Sequence, residues 1–166
     1  MTAAPLRILF LCTGNSARSI LAEALLNHLG EGRFTAVSAG TNPKAAPHPT
    51  ALALLREAGI DTAGLASEDV ALYSGEGKRP IDLVVTLCDS AAAEPCPLLP
   101  GAPATVHWGL PDPAAAGGGE EEQREAFERT FADLEARIRL LLSLPGDEIE
   151  ASDLAREFRT IHARFS

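Results

Sequence analysis

Near the amino terminus, a short apolar run, Leu6–Leu11, breaks into a polar turn and then immediately into helical spacing, Ser19–Leu29. The run reads as a buried parallel strand, because it is continuous, apolar and short. A strand that enters a helix through a tight loop points several backbone N–H groups at one spot. Those donors and the helix dipole make that spot an anion site. The loop itself is Cys12-Thr13-Gly14-Asn15-Ser16-Ala17-Arg18-Ser19. Arg18 can add a planar, two-pronged grip on a tetrahedral oxyanion. The same positive field favours the thiolate of Cys12, the nucleophilic form. The expectation is a nucleophile seated beneath an oxyanion held by residues 13–19. The plainer alternative is a structural cysteine followed by a solvated arginine. It explains less, because Gly14, Asn15 and Ser16 have little apolar content and tolerate left-handed backbone.

The same alternation continues along the chain. Phe34–Ser38 is a second expected strand, ending at Ala39-Gly40. Pro47 to Ala58 is a second helix, with Leu52, Leu55 and Leu54 toward the core. Ile81–Leu87 and Ala104–His107 are further strands. Gly117-Gly118-Gly119 is a break before a long helix, Glu120 to about Leu144, with Phe127, Phe131, Leu134, Ile138 and Leu141 on one stripe. Strands alternating with helices predict an α/β fold of parallel βαβ units with helices on both faces of the sheet. Ligands in such sheets bind at the carboxyl ends of the strands. Cys12 and Cys88 both follow strands at that edge.

Composition narrows the partners. The chain has 166 residues, 46% of them hydrophobic, which suits one globular body. Its net charge of −9 argues against nucleic acid and anionic membrane surfaces. No apolar run reaches membrane-spanning length, and the first residues lack the pattern of a signal peptide. A cytoplasmic protein with reduced cysteines is expected. After Pro145-Gly146, the residues Leu154, Phe158, Ile161 and Phe165 recur at helical spacing. They predict a terminal helix packed on the body, with a partner contact as the alternative. The expected organisation is a main domain, 1–145, and a helical extension, 146–166.

Cys88 and Cys96 lie in Leu87-Cys88-Asp89-Ser90-Ala91-Ala92-Ala93-Glu94-Pro95-Cys96-Pro97. Too few metal ligands stand nearby for a metal site, so no metal or cofactor is expected. Redox work remains, through a marginal helical turn that can unwind to bring two sulfurs together. Asp112, between Pro111 and Pro113, is a candidate proton donor or simply a turn residue. His28 and His48 have no evident partners, and Trp108 is expected beneath the Asp112 loop.

The Cys12–Ser19 run with Ala22-Glu23 behind it resembles the phosphate loop of low-molecular-weight protein tyrosine phosphatases. Val84-Val85-Thr86-Leu87-Cys88, Cys96-Pro97, His107-Trp108-Gly109 and Asp112-Pro113 resemble the arsenate reductases built on that fold, and Ser38-Ala39-Gly40-Thr41 also fits. The resemblance spans roughly Leu6 to Ser143. It implies a four-stranded parallel sheet and a three-thiol relay. Cys12 would attack arsenate, with phosphate and sulfate as analogues. Arg18 and the loop amides would hold the oxygens, Ser19 would support the thiolate, and Asp112 would serve as acid. Cys88 would release arsenite, and Cys96 would take over Cys88. The resulting disulfide would await an external reductant, either thioredoxin or glutaredoxin with glutathione. Position 17 is Ala where many relatives carry Cys, and the Cys88–Cys96 interval is one residue longer than in thioredoxin-linked members. The rival expectations are a tyrosine phosphatase using only Cys12, Arg18 and Asp112, and a non-enzymatic oxyanion or arsenite sensor.

Overall fold

A computed structural model describes residues 5–73, 80–87, 104–144 and 150–165. Four strands, β1 (Leu6–Cys12), β2 (Phe34–Gly40), β3 (Leu83–Thr86) and β4 (Ala104–His107), form one parallel sheet in the order β2-β1-β3-β4. The described helices are α1 (Arg18–Gly30), α2 (Pro49–Glu57), α3 (Glu120–Leu142) and α4 (Ala151–Phe165). Short 3₁₀ turns lie at Val70–Tyr73 and Pro113–Ala115.

The continuous apolar character of β1 follows from its central place, with a neighbour on each edge and cover on each face. Side chains alternate along a strand. Ile8 and Phe10 accordingly join side chains from all four helices in one large core, while Leu9 and Leu11 enter a smaller core with Ala39, Val70, Ile81 and Val84. Pairing runs from Leu6 opposite Phe34 to Cys12 opposite Gly40. The register therefore brings the end of β2 directly beside the nucleophile loop.

Several expected boundaries shift for local reasons. Strand β3 is shorter than Ile81–Leu87, because Asp82 turns back on β1: its carboxylate accepts from the Arg7 amide at 2.8 Å. Helix α2 begins at Pro49, because His48 caps it, the ring Nδ1 accepting from the Thr50 amide at 3.1 Å. The buried face of α2 is Ala51, Leu54 and Leu55, with Leu52 outside it. Gly30 is the last residue of α1, and the left-handed position after it belongs to Glu31 at φ 46°. On α3, the buried stripe takes in Ala126, Thr130 and Arg137, whereas Phe131 is only partly covered.

Helix α4 packs on the body through Leu154, Phe158 and Ile161, all buried in the main core. Trp108, fully buried just after β4, packs against this helix and against Phe10 of β1, with ring centroids 6.4 Å apart. Its ring stacks on Phe158 with centroids 4.6 Å apart, and its Nε1 donates to the Phe158 carbonyl at 2.8 Å. The Arg137 guanidinium lies over the indole, 5.3 Å from the ring centroid, and also against Phe165. Burial, stacking and a satisfied indole N–H act together at this joint. Among the described residues, no helix is long and apolar enough to cross a membrane.

Candidate active site

Strand β1 delivers Cys12 to the carboxyl edge of the sheet, where it is buried with 4% of its surface exposed. The loop that follows is fixed from outside by the segment after β2. The amides of Thr41, Asn42, Lys44 and His48 donate to the carbonyls of Cys12, Thr13, Gly14 and Ser16, at 3.3, 2.9, 2.9 and 2.8 Å. In a trans peptide, carbonyl and N–H point to opposite sides. With those carbonyls turned outward, the amides of residues 13, 14, 15 and 17 face the other way. Ala17 caps α1 without any side-chain hydrogen bond, and the first turn holds no acidic residue. A helix end with no capping side chain and no acidic first turn suits an anion.

Close approach is required for this arrangement. A side chain at Gly40 would place a Cβ 2.5 Å from the Thr13 carbonyl oxygen and 3.1 Å from the Asn15 amide nitrogen. Asn15 holds the loop's bend at φ 45°, a region that Asn enters more readily than most residues. Its fully buried side chain ties three elements together. The amide nitrogen donates to Ser19 Oγ and Ser38 Oγ, both at 2.9 Å, and the oxygen accepts from the Glu68 amide at 2.7 Å. Ser38 in turn donates to Glu23 Oε1 at 2.5 Å, Ser67 Oγ donates to the Asn15 carbonyl at 2.6 Å, and Tyr73 donates to Glu68 at 2.8 Å. Burial pushes the Glu23 carboxyl up to about 7; the Ser38 hydroxyl opposes that rise and Glu68 adds to it. Burial, together with the bond to Glu68, pushes the Tyr73 phenol well above its ordinary range.

Arg18 leaves the first turn of α1 almost wholly buried and reaches the loop after β4. One terminal nitrogen donates to the Leu110 carbonyl at 2.8 Å, and the other stands 3.9 Å from the Asp112 carboxylate. Its Nε is buried with no hydrogen-bond partner among the described residues. An unmet buried guanidinium donor is costly, and a bound oxyanion would satisfy it. Asp112 is half-exposed and also accepts from the Ala114 amide at 3.0 Å, which fixes its carboxylate relative to the short turn behind it.

These groups line one cavity of about 330 Å³, formed by the whole run 12–18 together with Asn42, Pro43, Lys44, Asp112 and Ala114. Thus Cys12, Thr13, Gly14, Asn15, Ser16, Ala17, Arg18 and Asp112 all line this one space. Ser19 stands apart from the cavity lining and supports the loop through Asn15. Cys88 and Cys96 lie outside the described residues. Sequence reasoning missed Asn42, Pro43 and Lys44. The usable signal was their place directly after β2, at the same sheet edge as Cys12. It also left His48 without a partner. The structure gives it several: the α2 cap, the Leu52 amide on its carbonyl, the Ser16 carbonyl that its amide holds, and the Phe127 ring at 4.6 Å. Burial, followed by the nearby Lys44 charge, holds the His48 ring below the usual imidazole range, against the pull of Asp112.

Comparison with known proteins points the same way. The low molecular weight phosphotyrosine protein phosphatase family model matches residues 7–157. The chain is 40% identical over 133 residues to an arsenate reductase of Bacillus licheniformis, covering 80% of this chain and 91% of that protein. Among solved structures, an arsenate reductase from Archaeoglobus fulgidus aligns with a TM-score of 0.63 at 29% identity, covering 82% of this chain and 99% of that one. Another structure, an arsenate reductase in the phosphate binding state, aligns with a TM-score of 0.62 at 26% identity, covering 83% and 97% of the two chains.

Proposed function

Given that the chain belongs to the low molecular weight phosphotyrosine protein phosphatase family, we propose that it works as an arsenate reductase, with Cys12 as the attacking thiolate. The observation that carries this reading is the convergence, in one cavity, of Cys12, the amide edge of the loop and an Arg18 whose Nε lacks a partner among the described residues. The likeness to arsenate reductases over most of the chain supports the choice of oxyanion.

In the proposed sequence, arsenate lies on the loop amides and the Arg18 fork. The Cys12 thiolate attacks arsenic(V). An arsenic-bound oxygen leaves as water, with Asp112 supplying the proton, and a Cys12 sulfur–arsenic bond remains. The Cys88 thiolate then attacks the Cys12 sulfur. The electron pair of the sulfur–arsenic bond passes to arsenic, which departs as arsenite, and a Cys12–Cys88 disulfide is left. The Cys96 thiolate attacks Cys88, frees Cys12 and leaves a Cys88–Cys96 disulfide. An external thiol system, thioredoxin or glutaredoxin with glutathione, returns two electrons and two protons.

The electrostatics favour a local trap for the anion. A chain of net charge −9 repels an arsenate dianion at long range. Attraction must therefore come from donors inside the cavity, where low dielectric strengthens them.

The deciding experiment measures arsenite formation with each reductant system supplied separately. Arsenite that depends on Cys12 and on one of the thiol systems is the expected result. Hydrolysis of an aryl phosphate without any arsenite would move the chain to the phosphatase branch. Oxyanion binding without turnover of either substrate would make it a sensor.

A further inference from the structure

The cavity carries a second positive charge that the loop motif does not include. Lys44 lies in the segment after β2 and lines the same space as Cys12 and Arg18. Its backbone amide is bonded to the Gly14 carbonyl at 2.9 Å, so its position is tied to the loop itself. Its stem runs along the loop backbone at Gly14: a Cβ built there would stand 3.3 Å from the Lys44 Cε and 3.4 Å from its Cγ. The absence of a side chain at position 14 is what lets the stem lie so close. Lys44 is solvent-facing and makes no ion pair with any carboxylate among the described residues. Its charge reaches the neighbouring His48, whose ring it helps hold below the usual imidazole range, after burial.

We propose that Lys44 is a substrate-binding residue, a second cation that draws the oxyanion dianion into the cavity and holds it at the rim while Arg18 and the loop amides grip it from within. This deepens the arsenate reductase reading and rests on it for the identity of the substrate. The physical need is specific to this chain. Its overall field opposes an anion, and Arg18 already spends one nitrogen on Leu110 and faces the Asp112 carboxylate with the other. A flexible ammonium at the mouth adds attraction without demanding fixed geometry.

The test titrates inorganic phosphate into the whole protein by calorimetry at low and at high salt, using Lys44→Met, Lys44→Arg and the unaltered chain. Lys44→Met keeps the stem and removes the charge. It should bind phosphate about tenfold more weakly at low salt, the scale of one charged contact at a solvent-facing position. The loss should shrink at high salt, and Lys44→Arg should restore most of the affinity. Thermal melts of each variant check the fold, and Lys44→Gln supplies a second neutral side chain. Phosphate binding by both neutral variants within twofold of the unaltered chain, with the same salt dependence, overturns the proposal. Phosphate is not reduced, so the two readings fail separately. An unaltered chain that binds phosphate through Lys44 but forms no arsenite defeats the reductase assignment and leaves Lys44 standing. Arsenite formation with Lys44-independent phosphate binding does the reverse.

Discussion

Two regions of this molecule are assembled by opposite means. At the carboxyl edge of the sheet, the Cys12–Arg18 loop is held by directed polar bonds: four outward carbonyls, the three-way Asn15 side chain, and the Ser38–Glu23 pair. Around Trp108, the joint between β4, α3 and α4 is held mainly by contact area, with Phe158, Leu154 and Ile161 buried around an indole that makes one hydrogen bond. The difference is instructive. Polar bonds set directions, which a cradle for a tetrahedral anion needs. Apolar burial sets closeness, which is enough to keep a terminal helix in place. Damage should therefore divide: changes in the loop should cost chemistry, and changes at the Trp108 joint should cost stability.

The largest effect should come from Cys12→Ser. A serine hydroxyl at its ordinary pKa is a poor nucleophile, so arsenite formation should vanish while the melting temperature stays near that of the unaltered chain. Substantial arsenite production by this variant would remove Cys12 from the centre of the reaction.

Asp112→Asn comes next. Asparagine retains an oxygen for the Ala114 amide and loses only the proton donor, so turnover should fall ~10²–10⁴-fold with little change in phosphate affinity. An unchanged turnover number would assign Asp112 to the loop's structure alone.

On the other side of the comparison, Phe158→Ala should destabilise the fold by about 3–5 kcal/mol, the usual cost of truncating a buried aromatic ring. Urea unfolding measures this. Well below the melting point, phosphate binding should survive in this variant. If stability were untouched and binding lost, the division between the two regions would be wrong.

Titration should separate the two regions by sign. Glu23, beside the loop, has a folded-state pKa raised from 4.5 to about 7. The folded chain holds that proton more tightly than the unfolded chain, so the stability it contributes is full below 4.5 and is lost as pH rises through about 7. The shift corresponds to at most about 3 kcal/mol. Glu23→Gln should flatten that decline. His162, at the Trp108 joint, shifts the opposite way. Burial first, then the charge of Arg137 and the nearby His107, lower its pKa from 6.5, with Asp133 opposing. Its Nδ1 faces an Arg137 nitrogen at 2.9 Å, and Arg137 also pairs with Asp133. As pH falls below 6.5, the unfolded chain takes this proton first, so stability is lost on the acid side. His162→Gln should flatten the acid side by a smaller amount, read from melts across pH. If both variants altered the same limb of the stability curve, the opposed signs assigned to the two regions would fail.

Sequence alone located the cradle, because its geometry is local. A strand, a five-residue loop and a helix start lie in one stretch, and the backbone preferences of Gly14 and Asn15 constrain that stretch directly. The same holds for the parallel sheet, which follows from alternating apolar strands and periodic helices, and for the terminal helix, whose stripe buries Leu154, Phe158 and Ile161, while Phe165 at its end stays exposed. Tertiary structure alone decided what meets the cradle from a distance. Arg18 reaches Leu110 across 92 positions, Glu68 braces Asn15 from 53 away, and Lys44 lies over Gly14 only because the register sets Gly40 beside Cys12. Trp108 shows the same limit, since nothing near it in the chain specifies its place against Phe158. The physical reason is range. Dihedral preferences and side-chain periods act between near neighbours and leave a trace in the sequence. Strand register and helix docking are settled by how buried surfaces fit across the whole core, and that fit has no periodic signature along the chain.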